Sequence, residues 1–106
     1  MGSPDEVMSL RIIMDENCLF EGKPLYEVIV LKAREMNLAG ATVFRGIMGF
    51  GANAHLHTAK ILRLSEDLPV AIEIIDSQKN IDKIIPFLKE VVKEGIMTLE
   101  KVCIIK

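Results

Sequence analysis

Residues 70–106 read VAIEIIDSQKNIDKIIPFLKEVVKEGIMTLEKVCIIK, and the change of period inside this stretch decides the fold. Val70, Ile72 and Ile74 alternate with Ala71, Glu73 and Ile75, the two-residue period of a strand over Val70–Asp76. A polar turn, Ser77 to Asn80, follows. Ile81, Ile84, Ile85, Leu88, Val91 and Val92 then recur at helical spacing, and Gly95 marks the expected stop. Pro86 lies inside that pattern and predicts a kink or a delayed regular start. From Met97 to Ile105 the alternation returns, with Met97, Leu99, Cys103 and Ile105 on one side. This is one β-α-β unit.

Working back from it, the first half carries the same order. Met8, Leu10, Ile12 and Met14 alternate along Val7–Met14, a strand with one buried face. Asp15 to Lys23 is polar, and Pro24 suits the first turn of a helix running to Leu38, with Gly40 as its stop. Ala41–Phe50 reads as the second strand. Gly51–Leu68 has no strong period, although Lys60–Leu64 has the character of a strand extension. Two such units in tandem predict an α+β fold, a ferredoxin-like βαββαβ sandwich. Four antiparallel strands would lie under two helices on one face, in a single domain over residues 1–106. The sheet's other face would then need a cover, which small sandwiches commonly obtain by association.

Composition bounds the function. The 106 residues are 50% hydrophobic and 26% charged, a globular balance, with a formal charge of −2 at pH 7. That charge and the scarcity of aromatic rings argue against nucleic-acid binding. The longest apolar runs, such as Val28–Leu31, fall far short of the roughly 20 residues that span a bilayer, so no direct membrane insertion is expected. Met1–Glu6 is acidic without an apolar signal core, which points to a cytoplasmic protein with Cys18 and Cys103 reduced.

The unusual motif is residues 40–51, GATVFRGIMGFG. Gly46 and Gly49 weaken a strand and demand a reason: a bend, or close approach of another backbone or a ligand. With GKPLYEVIVLKAREMNLA before it and HTAKILRLSEDLPVAIEIID after it, this segment resembles the PII-like proteins. It is most similar to their small uncharacterised branch, a domain of unknown function related to the nitrogen-regulatory PII signalling proteins. The likeness runs from about Val7 to Ile105. It implies a homotrimer that binds an adenine nucleotide (ADP, ATP or AMP) in intersubunit clefts. No metal is required, and the 51–64 loop would report to a protein target, a transporter or an enzyme. Carried over by position, Gly49, Phe50 and Gly51 match the family's Gly-Phe-Gly, with Gly46 just before them. Lys60 lies in the loop, and Ser77 and Lys79 lie in the turn that would face phosphate. Lys101 and Lys106 stand for the basic residues of the last strand. That turn has no glycine, and neither lysine is an Arg, so bidentate phosphate contact is lost there. Tyr26 falls on the first helix, so the family's loop-tyrosine switch does not carry over.

His55 and His57 point the same way from an extended segment and are weak metal candidates. No Cys or carboxylate stands close enough to complete a zinc set. Asp15, Glu16 and Glu21 read as a solvated acidic loop. Arg45, within the second strand beside the glycines, is expected to form an intersubunit salt bridge, with Glu73 on the adjacent strand a candidate partner, or else to meet a ligand. The expected function is regulatory, not enzymatic. The alternatives are a trimeric divalent-metal protein of the cation-tolerance kind and an acylphosphatase-like hydrolase. The latter would want an Arg in the first loop, where there is none.

Overall fold

A computed structural model describes residues 5–50 and 68–106. Its elements run β1 (Val7–Asp15), β2 (Leu19–Phe20), β3 (Lys23–Pro24), α1 (Leu25–Glu35), β4 (Thr42–Arg45), β5 (Pro69–Ser77), α2 (Gln78–Val91) and β6 (Ile96–Lys101). The main sheet has the order β4-β5-β1-β6, antiparallel throughout, which is the ferredoxin-like arrangement expected. The possible strand at Lys60–Leu64 lies outside the described residues.

The alternation in β1 buries Met8, Leu10, Ile12 and Met14 on the helix side. Val70, Ile72 and Ile74 of β5 join them, and Ile29 and Ala33 of α1 with Ile81, Ile84 and Leu88 of α2 close the core. Side chains that repeat every second residue along a strand meet side chains that repeat every three or four along a helix. One dry layer results.

The element ends differ from the sequence expectation, each for a local reason. Helix α1 stops at Glu35 instead of Leu38, because Asn37 takes a left-handed conformation (φ 60°). The N–H of Asn37 then donates to Arg34 O and that of Leu38 to Ala33 O, a Schellman ending that leaves Gly40 no role as a stop. Helix α2 begins at Gln78, three residues early, because Ser77 caps it: its Oγ accepts the Asn80 N–H at 3.2 Å. The helix runs through Pro86, which is exposed, so the carbonyl of Asp82 that loses its intrahelical donor can turn to water.

Strand β4 ends at Arg45, not Phe50. Gly46 donates its N–H to Pro69 O at 2.7 Å, and the chain then bends away. A Cβ on Gly46 would lie 2.8 Å from Pro69 Cγ, and one on Gly49 2.9 Å, so the Pro69 ring is the close neighbour these glycines admit. Strand β6 ends at Lys101, not Ile105, because its partner β1 begins at Val7. The Val102 N–H still reaches Val7 O at 3.0 Å, and beyond it the described residues offer no strand to pair with. In the stretch read as a plain polar loop, β2 and β3 form a small hairpin turned by Glu21 and Gly22, both at positive φ.

Among the described residues, no element covers the sheet face away from the helices. Phe44, Ala71, Ile13 and Ile96 stand opposite one another in a row across all four strands, and all but Ala71 are exposed. The next row carries Arg11 paired to Glu73 at 2.7 Å.

Candidate functional site

The register divides the residues singled out from the sequence between the two ends of the sheet. Arg45 stands opposite Val70. Gly46, Gly49 and Phe50 follow it, at the end of the sheet where β1 finishes and β6 starts. Ser77 stands opposite Val7, and Lys101 opposite Met8, at the other end, where Lys79 lies in the first turn of α2. Seven residue steps along β5 lead from Val70 to Ser77, roughly 24 Å of extended chain. Within one copy the two groups do not meet. Gly51, His55, His57 and Lys60 lie outside the described residues.

At the Ser77 end, the N-terminus of α2 is already supplied with acceptors from its own chain. Gln78 N–H donates to Glu6 O at 2.8 Å, and Asn80 N–H to the Ser77 hydroxyl. Lys101 Nζ pairs with Glu6 at 3.6 Å, so Glu6 ties β6 to the start of α2. The Asp76 carboxylate accepts from Ala39 N–H (2.8 Å), Ser77 N–H (2.7 Å) and the Asn80 amide (3.0 Å). It thereby joins the α1–β4 connection to the cap. Partial burial pushes the Asp76 carboxyl upward, but these three donors, with Lys83 nearby, outweigh it and hold the group below its ordinary value.

A carboxyl depressed in the folded state stabilises above its unfolded pKa and loses that contribution as the pH falls through the folded value. Asp76→Asn is therefore expected to lower stability at pH 7 and to flatten its decline as the pH falls below the ordinary Asp value of 3.8. Urea denaturation at a series of pH values measures both. Parallel curves for the two proteins would refute the role given to Asp76.

At the other end, Arg45 and Glu73 do not meet within one copy, where each has another partner. Glu73 faces the open side of the sheet, where it takes Arg11 Nη2 and the Ser9 hydroxyl. Arg45, opposite Val70, lies on the helix side and donates from Nη2 to Glu16 Oε1 at 2.9 Å. Nor is Glu16 merely solvated. Its Oε1 also accepts the Leu68 N–H at 3.4 Å, and its own N–H donates to Leu68 O at 2.9 Å. The Arg45 hydrogen bond holds the Glu16 carboxyl low, and Glu16 in turn raises Arg45. Nearby, burial first and the Asp15 charge second push the Cys18 thiol up, which disfavours its thiolate. Sequence reasoning did not find the Glu16–Arg45 pair, because 29 positions separate the partners.

Among the described residues, no group of three or more His, Cys, Asp or Glu side chains is placed to hold a metal ion. Among them, too, no helix is long and apolar enough to cross a membrane.

Residues 7–104 match the family model DUF190, described as "Uncharacterized ACR, COG1993". The chain belongs to this family. A UPF0166 protein of Aquifex aeolicus (strain VF5) is 42% identical over 98 residues, covering 91% of this chain and 90% of that protein. A UPF0166 protein of Methanocaldococcus jannaschii is 38% identical over 86 residues, 81% of this chain and 79% of the relative. The family match takes in β1 through β6 and so includes both ends of the sheet.

Proposed function

We propose that this member of the DUF190 family is a PII-like regulatory protein. It is a homotrimer that binds an adenine nucleotide between copies and passes the bound state to a protein target, without catalysing a reaction. The observation that carries the reading is the division of the candidate residues. Gly46, Gly49 and Phe50 lie at one end of the sheet and Ser77, Lys79 and Lys101 at the other, so a single ligand joins them only where two copies meet. The open sheet face with its row of Phe44, Ile13 and Ile96 supports association as well, since an exposed apolar row of this kind is favourable to cover. The resemblance of the segment 40–51 to the PII-like proteins supplies the nucleotide.

Light scattering coupled to size exclusion, together with titration calorimetry against ATP, ADP and AMP, tests this. The expected mass is three times the chain's 11.8 kDa. At least one nucleotide should bind and raise the melting temperature by several degrees at a hundredfold excess over Kd. A monomer that none of the three nucleotides stabilises at millimolar concentration would sink the proposal. Hydrolysis of the bound nucleotide at a catalytic rate would overturn the non-enzymatic part of it.

A further inference from the structure

Arg45 is only partly used by its own chain. Its Nη2 is bound to Glu16, yet the side chain is 55% exposed whereas that of Glu16 is 16% exposed. Glu16 is anchored through Leu68, so it is the fixed partner and Arg45 the accessible one. A guanidinium carries five N–H donors in a planar fork, and among the described residues its one bond, to Glu16 Oε1, leaves an edge for a bidentate oxyanion. Two residues earlier on the same face of β4, Val43 forms one wall of a groove of about 330 Å³ between β4 and α1. Tyr26, Val30 and Leu31 form its opposite side, and Lys23 lies at its margin. A groove of this size is at the small end of ligand sites; its lining is mainly apolar, Glu27 stands in it beside Lys23, and the cation that is not balanced there is Arg45, two residues beyond Val43.

We infer that Arg45 receives the phosphate of an organic phosphate whose uncharged body lies in the β4–α1 groove, with Glu16 competing for the guanidinium when the ligand is absent. This deepens the nucleotide reading and rests on it for the identity of the ligand. It also supplies, at the opposite end of the sheet, the arginine that the last strand lacks.

Calorimetry of the whole chain with ATP and with inorganic pyrophosphate, on four variants, separates the claims. Arg45→Met should weaken both ligands by about 10- to 100-fold, the usual range for a lost charge-assisted contact. Arg45→Lys should recover part of that. Glu16→Gln keeps a carbonyl acceptor for Leu68 while removing the competing charge, and should tighten both ligands about 5-fold. Leu31→Asn, at a side chain 62% exposed and so harmless to folding, should weaken ATP but not pyrophosphate. Opposite signs for Glu16→Gln and Arg45→Met are the decisive result. A purely structural ion pair would lower the melting temperature in both variants and leave the affinities alike, which overturns the inference. If ATP binds the wild type and Arg45→Met equally, the inference falls and the nucleotide reading stands. If neither ATP nor pyrophosphate binds, both fall.

Discussion

Ile12→Ala is expected to remove about 3–4 kcal/mol of unfolding free energy, a large share of the 5–15 kcal/mol typical of a domain. Ile12 is 0% exposed and sits in a central strand, opposite Ile72 on one side and Met97 on the other. Truncation there loses the transfer free energy of three carbons. It also leaves a cavity that the flanking strands, locked by their hydrogen bonds, cannot close. Chemical denaturation monitored by circular dichroism measures the loss. The informative companion is Ile13→Ala, one residue along and on the open face, at 41% exposure. In an isolated chain it should cost less than about 1 kcal/mol, because a half-exposed side chain has less transfer free energy to lose. If a second copy covers this face, Ile13→Ala should instead weaken the assembly and make stability depend on protein concentration. Equal effects from the two substitutions in a chain shown to be monomeric would contradict the burial described here.

Gly95→Ala is expected to be nearly as damaging, at about 2–3 kcal/mol, for a backbone reason. Gly95 has φ 152° in the turn that delivers α2 into β6, and a Cβ there would lie 2.7 Å from the carbonyl oxygen of Ile13. That oxygen belongs to the central strand and cannot swing aside as a side chain would, so the turn must distort or β6 must shift against β1. Gly40→Ala is the control. Nothing lies within 4 Å of a Cβ at that position, and its φ is outside the strained range. Ala there should be neutral or stabilise by up to about 1 kcal/mol through the unfolded chain. Thermal melts of the two variants side by side decide the matter. A Gly95→Ala protein melting within about 2 °C of wild type would show that the turn adapts.

The legible part of this fold was its periodic part. Val70 to Val91 declared a strand and a helix because solvent on one side and core on the other impose a repeat that the residues must follow. The hairpin at Glu21–Gly22 is not legible in the sequence because two-residue strands have no period to read. The reason for Gly46 and Gly49 was legible only as a demand. The sequence required a close neighbour, and the fold identified it as Pro69, twenty and more residues away.

The candidate site divides the same way. Residue types and the Gly-Phe-Gly motif were visible in the chain, as was the absence of Arg from the last strand. Which of them share an end of the sheet was not, because that follows from the pairings β4 with β5 and β1 with both β5 and β6. By itself the sequence determined the order of the long elements, the inward face of β1, β5 and the two helices, and the family, all set by local pattern and residue identity. The tertiary structure alone decided that Arg45 meets Glu16 rather than Glu73, that Asp76 and Ser77 supply the cap of α2, and that Gly46 and Lys101 lie far apart. Contacts between distant positions depend on strand register, and a shift of a single residue would send every one of those side chains to the opposite face.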